Sequence, residues 1–342
     1  MARCALKIVF FGTAEFAVPS LEALLEAGHT LLAVVTQPDR PQGRGMQLVA
    51  SPVKKAAERH GLTVLQPRRV RAESFVARIR DLAPDVLAVA AFGQIIPQAL
   101  LDLPPLGPIN VHGSLLPKYR GAAPIQRAIM AGEVETGVTT MWMDATLDTG
   151  DMLLAGAEPI APEDTAGTIT PRLAALGADL LVRTLDGLAE GTLPRRKQDD
   201  ARATLAPPIR PEDGLIRWHE PAAAISNRIR GVSPKPGAFA IIQGKRVKRR
   251  RVKLWSAAVA TDTPTANAEP GTILALSKHP AGVLVAAGNG TALLLTSAQP
   301  ENGRRMSAGD WARGLRLTPG DRFDPGDPSR LDDPLKQESA DA

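Results

Sequence analysis

Residues 7–12, Lys-Ile-Val-Phe-Phe-Gly, form the kind of apolar run that fills a strand buried on both faces. A helix is expected next, over 15–28. Leu21, Leu24 and Leu25 recur at helical spacing, and Gly28 stands where a helix is commonly ended. Residues 31–35 are strand-like again. This strand–helix–strand opening constrains the fold more than any other feature. Parallel strands joined through a helix commit the chain to a parallel sheet with helices on both faces. The same reading predicts helices over 51–60, with Ser51 as N-cap, and over 73–82, 124–130 and 167–190. Further strands are expected over 85–90, up to His112, and over 138–143, followed by a turn-rich segment over 144–151. The turn after the first strand, Gly12-Thr13-Ala14-Glu15, lacks the three-glycine fingerprint of dinucleotide sites, so this Rossmann-like domain is not expected to hold NAD.

The chain has 342 residues, enough for two domains. The first is expected over 1–190. Residues 191–211 contain Pro194, Pro207, Pro208 and Pro211 with little periodicity, and read as a linker. Beyond them, short alternating segments at 238–242, 247–254, 271–276, 282–286 and 291–296 are punctuated by glycines. They suit a small OB-like β-barrel over 212–320, with a helix over 221–230 packed on it. The acidic, proline-containing stretch 321–342 is expected to lack structure. Charge follows the same division: formal charge is −3 over 1–190, +12 over 191–320 and −4 over 321–342. The basic second half suggests a polyanionic partner. Its densest run, 245–253, has seven cationic residues among nine, including Arg249, Arg250 and Arg251. With cations on both faces of a strand, it is expected at an exposed edge or hairpin. There it acts either as a charged edge that blocks aggregation or as a track for phosphates.

Other classes are disfavoured by composition. A single cysteine excludes a disulfide within the chain, and five scattered histidines give no metal-ligand spacing, so no metal is expected. No apolar run is long enough to span a membrane, and residue 3 leads straight toward the first strand without a secretory or organellar presequence. A cytoplasmic location is the simple expectation.

The chemistry concentrates in residues 109–121, Ile-Asn-Val-His-Gly-Ser-Leu-Leu-Pro-Lys-Tyr-Arg-Gly. Asn110 and His112 are two apart on a strand and share a face. Ligands of open parallel sheets bind just past the carboxyl ends of strands. An amide donor beside an imidazole there can stabilise an oxyanion and move a proton, although a single histidine at a strand end also serves as an ordinary hydrogen-bonded residue. Asp148, in Leu-Asp-Thr-Gly-Asp, reads equally as a turn residue whose carboxylate binds backbone N–H groups. A third feature is the long polar loop over 37–50, which leaves a strand's carboxyl end.

Asn110-Val-His112-Gly-Ser114-Leu115-Leu116-Pro117, with Arg120-Gly121 after it, resembles the signature loop of the 10-formyltetrahydrofolate-dependent formyltransferases. The segment from Met143 to Met152 is similar to that family's second signature. Thr36-Gln-Pro-Asp-Arg40-Pro-Gln-Gly-Arg44-Gly45 resembles the branch of the family that acts on methionyl-tRNA. The resemblance implies a Rossmann-like domain followed by an OB-like barrel, and formyl transfer from 10-formyltetrahydrofolate to the amino group of initiator methionyl-tRNA by a monomer. It implies Asn110, His112 and Asp148 as the catalytic set, with Asn110 and His112 donating to the oxyanion and Asp148 holding His112. It implies Ser114, Leu115, Leu116 and Pro117 as lining the folate site, and Arg44 as a tRNA contact, with Arg40 beside it and Arg249, Arg250 and Arg251 in the basic barrel. The chain departs from the family at Met46 and Gln47, where many relatives carry lysines, and in Val232-Ser-Pro-Lys-Pro-Gly237, which lacks the usual tryptophan. A sugar-nucleotide formyltransferase shares the 112–121 signature, and a catalytically idle RNA-binding protein would share the fold; both remain open on the residues alone.

Overall fold

The computed structural model describes residues 5–42, 47–243, 249–261 and 268–326, in two compact units. The first comprises Met1–Ile125, Glu135–Ile160 and Thr168–Pro208, and the second Gln126–Val134, Ala161–Gly167 and Ile209–Ala342. Arg44 lies outside the described residues.

The first unit contains β1 (Lys7–Gly12), β2 (Thr30–Val35), β3 (Arg40–Gln42), β4 (Gln47–Val49), β5 (Val64–Leu65), β6 (Val86–Ala90), β7 (Pro108–His112), β8 (Glu135–Trp142) and β9 (Met152–Pro159). Seven of these form one sheet in the order β5-β2-β1-β6-β7-β8-β9. The pairs from β5 through β7 are parallel, as the opening pattern requires. β6 is buried at every position, and the Ile8–Phe11 run of β1 is inaccessible to solvent. Such strands are apolar throughout because helices cover both faces. The last two pairings, β7–β8 and β8–β9, are antiparallel. β8 and β9 are joined by the tight turn that holds Asp148 rather than by a helix, and only antiparallel strands can be joined so closely. β9 alternates between exposed and covered positions, as an edge strand does.

The helices stand where the periodicity places them, at Val18–Glu26, Pro52–Arg59, Glu73–Leu82, Pro124–Ala131 and Ala166–Ala189. Ser51 caps the second by accepting from Lys54 N–H at 3.0 Å. The loop over 37–50 has structure of its own: β3 and β4 pair as a two-stranded ribbon. No described helix is long and apolar enough to cross a membrane.

The second unit is built on β10 (Ala238–Gln243), β11 (Arg250–Ala260), β12 (Ile273–Lys278), β13 (Ala281–Ala286), β14 (Ala292–Pro300), β15 (Met306–Ser307) and β16 (Arg322–Phe323). The sheet runs β12-β13-β14-β11-β10-β16, all antiparallel, with β15 on β14. Its two ends meet. Ile273 N–H donates to Asp321 O at 2.8 Å and Phe323 N–H to Gly271 O at 2.9 Å. A sheet curled until its first and last strands bond has the barrel form expected of the OB type.

One expectation holds in part here and another is corrected. Of the edge or hairpin expected for the basic run, the described part, 249–253, bears out the hairpin and not the edge: β11 pairs antiparallel with β10, next to it in sequence, and lies between β10 and β14, while residues 245–248 lie outside the described residues. Val252 and Leu254 enter the core while Lys253 faces outward, so a curled sheet needs only one apolar face per strand. The tail, moreover, is not structureless from residue 321. Phe323 is 1% exposed, stacked on Trp218 at 4.8 Å between ring centres, with Trp311 at 6.1 Å. The acidic composition of the stretch hid this one aromatic anchor. Phe323→Ala is expected to lower unfolding free energy by about 3–5 kcal/mol, as large-to-small changes in a packed core do. Urea denaturation of the full chain measures it, and a loss below about 1 kcal/mol would place Phe323 outside the cooperative core.

Candidate active site

His112 ends β7 and is 5% exposed. Its Nε2 lies 3.0 Å from the Tyr119 carbonyl oxygen. A carbonyl only accepts, so Nε2 carries the proton of that bond. The other ring nitrogen, Nδ1, faces Asp148 Oδ2 at 3.6 Å. That gap is longer than a hydrogen bond, and it leaves Nδ1 and the carboxylate facing each other. Asn110 sits two residues back on the same strand and is half-buried. Among the described residues its carboxamide makes no hydrogen bond. His112 and Asp148, named from separate segments of sequence, are thus brought together, with Asn110 on the face of β7 that His112 shares.

Asp148 is set by local chemistry. Its backbone is left-handed, φ 53°, a conformation that Asp and Asn tolerate better than most residues. Asp144 organises the turn by accepting from Thr146 N–H at 3.1 Å and from Thr149 Oγ1 at 2.8 Å. Gly150 follows Thr149, and a side chain there would collide with the Trp142 carbonyl, 1.8 Å from an ideal Cβ. The second oxygen contact of the Asp148 carboxylate comes from the other loop, where Gly121 N–H donates to Oδ2 at 2.8 Å. Gly121 has φ +125° and also leaves no room for a side chain against the Ala206 carbonyl.

The loop over 113–120 supports itself. Ser114 is fully buried and donates to Lys118 O at 2.6 Å. Thr139, on β8, donates to Ser114 O at 2.7 Å and accepts from Leu116 N–H at 3.1 Å. Leu116 is buried, whereas Leu115 and Pro117 are partly exposed. Of the four residues expected to line a folate site, Leu115 and Pro117 thus have partly exposed side chains. The Ser114 and Leu116 side chains are buried, with the Ser114 hydroxyl donating to Lys118.

The stretch after residue 191 is not a free linker. Arg196 and Met152 exchange two backbone bonds, at 2.8 and 2.9 Å. Thr204 Oγ1 accepts from Tyr119 N–H at 2.8 Å, and Arg120 exchanges backbone bonds with Thr204 and Ala206. Gln198 Nε2 donates to Asp148 O at 2.8 Å and to Gly150 O at 2.7 Å. Its Oε1 accepts from the Arg120 guanidinium at 2.8 and 3.0 Å, which also pairs with Asp200 at 2.6 Å. One strap thus clasps both loops that carry the site. Neither Gln198 nor Thr204 was recoverable from periodicity, since each is defined by partners many residues away. Gln198→Leu removes both donors at similar size and is expected to lower kcat on the order of 10- to 100-fold with little change in KM for either substrate. Steady-state kinetics reads this directly, and unchanged kcat would reduce the strap to packing.

At the crevice between β1 and β6, where strand order reverses, Thr13 donates to Phe92 O at 2.8 Å, and buried Gln37 donates to the same carbonyl at 3.3 Å. Asp39 receives Lys54 Nζ at 2.7 Å and Gln66 Nε2 at 2.7 Å. Hydrogen bonds from Lys54 and then Gln66 hold the Asp39 carboxyl below the usual range, and the bond to Asp39 raises the Lys54 ammonium. Arg40, at the start of the ribbon, is exposed with its guanidinium 3.5 Å from Gln37 Oε1. In the second unit, Arg249 is half-buried and faces Asp324 at 3.9 Å. Arg250 is exposed, and Arg251 lies over the Phe239 ring at 3.7 Å.

Comparison with known proteins adds the family. Residues 6–185 match the model described as formyl transferase, and residues 208–316 match that of the formyl transferase C-terminal domain. The chain is 50% identical to the methionyl-tRNA formyltransferase of Geobacter metallireducens, over 93% of this chain and 98% of that relative. It is 50% identical to the methionyl-tRNA formyltransferase of Solibacter usitatus, over 94% and 99%. Among solved structures, HypX from Aquifex aeolicus in complex with tetrahydrofolic acid superposes with a TM-score of 0.60 at 16% identity, covering 91% of this chain and 48% of that one. An N-formyltransferase from Helicobacter canadensis, in complex with folinic acid and dTDP-3-aminofucose, gives 0.60 at 17%, covering 87% and 100%. At those identities the likeness is one of fold. Near-complete coverage at half identity, with both family models matched in order, makes this chain a member of the formyl transferase family.

Proposed function

We propose that this chain transfers the formyl group of 10-formyltetrahydrofolate to the free amino group of initiator methionyl-tRNA, giving N-formylmethionyl-tRNA for translation initiation. The observation that carries the chemistry is the His112–Asp148 approach of 3.6 Å, with the Nε2 proton already committed to Tyr119. Only Nδ1 is left to exchange a proton. The amine attacks the formyl carbon, and the carbonyl oxygen gains negative charge. Asn110, whose carboxamide has no protein partner among the described residues, donates to that oxygen. Nδ1 takes the proton from the attacking nitrogen, and the carboxylate of Asp148 stabilises the imidazolium so formed. As the bond from the formyl carbon to folate N10 breaks, the same proton passes to N10. The products are the formylated amine and tetrahydrofolate, with atoms and charge balanced. In this scheme His112 acts as proton carrier more than as oxyanion donor. No covalent nucleophile is required, and the Ser114 hydroxyl is already bonded to Lys118.

The acceptor is supported by the nearly full-length likeness to methionyl-tRNA formyltransferases and by the +12 charge of residues 191–320. Arg40, Arg249, Arg250 and Arg251 are the described cations we assign to the RNA, with Arg249 also facing Asp324 at 3.9 Å. The test supplies 10-formyltetrahydrofolate with either methionyl-tRNA or an amino-sugar nucleotide. Formylation of the tRNA alone is expected, and formylation of the sugar nucleotide alone would overturn the assignment.

A further inference from the structure

The helix Glu73–Leu82 and the turn leading into it carry five exposed arginines, Arg68, Arg69, Arg71, Arg78 and Arg80. None of the five guanidinium groups has an ion pair or a hydrogen bond among the described residues. Several other surface arginines are paired. Arg59 pairs with Glu22, Arg172 with Glu158, Arg183 with Asp179, and Arg313 with Asp310. Five unpaired guanidinium groups between residues 68 and 80 leave a concentrated positive field. The one acidic residue between Gln66 and Arg80 is Glu73.

The cluster is also concave. Arg68, Arg69 and Arg78, with Ser74 and Phe75, line a cavity of about 700 Å³. Guanidinium groups recognise phosphate through paired N–H donors. Phe75 is buried, so its ring offers no platform for a base. The lining thus suits the sugar-phosphate backbone and reads no sequence.

Its place in the sheet suits one particular polyanion. The cluster follows the carboxyl end of β5, and Asn110 and His112 stand near the carboxyl end of β7 in the same parallel set. Four strand spacings separate β5 from β7, or about 19 Å. At about 3.4 Å per stacked nucleotide this is a run of five or six nucleotides. We infer that the Arg68–Arg69–Arg78 cavity binds backbone phosphates of the aminoacyl-tRNA several nucleotides before the reacting amine, so that the catalytic unit grips the acceptor strand itself. The inference rests on the methionyl-tRNA assignment above.

The test compares the full-length wild type with Arg68→Ala/Arg69→Ala/Arg78→Ala. All three side chains are exposed and unpartnered, so an unchanged melting temperature is expected. KM for methionyl-tRNA should rise about tenfold or more, with kcat within twofold and KM for 10-formyltetrahydrofolate unchanged. In direct binding to methionyl-tRNA, the plot of log affinity against log salt should flatten by about 2 to 3, one for each phosphate that the protein no longer neutralises. The matching triple lysine variant should recover most of the salt slope. A wild type that formylates methionyl-tRNA beside an alanine variant of unchanged KM and slope would overturn the cavity alone. A wild type that does not formylate methionyl-tRNA would overturn the assignment, and this inference with it.

Discussion

In the His112→Ala variant kcat for formyl transfer is expected to fall by about 10²- to 10⁴-fold while affinity for methionyl-tRNA stays within twofold. The direction follows from the ring's bonds. Nε2 is anchored to Tyr119 O at 3.0 Å, which fixes the plane of the imidazole, and Nδ1 is left facing Asp148 at 3.6 Å. No other described histidine stands in the site, so alanine removes both the acceptor for the amine proton and the carrier that returns it to folate N10. The side chain is 5% exposed and does not reach a broad RNA surface, which is why binding is spared. Rapid-quench kinetics with saturating 10-formyltetrahydrofolate measures the loss. Turnover within threefold of wild type would remove His112 from the mechanism.

For Asn110→Ala the expected loss is about 10²- to 10³-fold in kcat, the usual consequence of deleting one oxyanion donor. Asn110 is flanked on β7 by buried Ile109 and Val111, which point to the opposite face and hold the strand in place. It pairs in register with Val89 of β6 and Met141 of β8, so the backbone that carries it is rigid on both sides. A half-buried carboxamide without a protein partner costs little to remove from the resting enzyme, so stability should change by less than about 1 kcal/mol. Asn110→Asp sharpens the test. It preserves size but replaces a donor by a negative charge where negative charge develops, and it should be slower than the alanine variant. Equal or faster transfer by the aspartate variant would show that the side chain does not face the oxyanion.

Much of this arrangement was legible in sequence because it is governed by local rules. β1 and β6 announce themselves as unbroken apolar runs, Ser51 as a helix cap, and Asn110 with His112 as same-face neighbours on a strand. What was not legible depends on long-range pairing. β9, with Gly156 and Glu158 in it, has no strong strand pattern and is held by its bonds to β8. The proline-rich stretch after residue 191 looked like a linker because its order comes from Arg196 on Met152, Gln198 on Asp148 and Thr204 on Tyr119. The cationic run was legible as a hairpin strand but not as an interior one, because alternation in sequence does not reveal that the sheet curls over a one-sided core.

The central claim is that His112 and Asp148 act as one unit on a single proton. The most direct test is single-turnover formyl transfer in wild type, His112→Ala, Asp148→Asn and the double variant. Asp148→Asn suits the left-handed backbone at this position and retains an acceptor for Gly121 N–H, so it removes charge with little change of shape. Without the imidazole the carboxylate has no ring to stabilise, so the double variant should be no more than about threefold slower than His112→Ala alone. Losses that multiply, leaving the double variant slower by the full product of the two single effects, would contradict it.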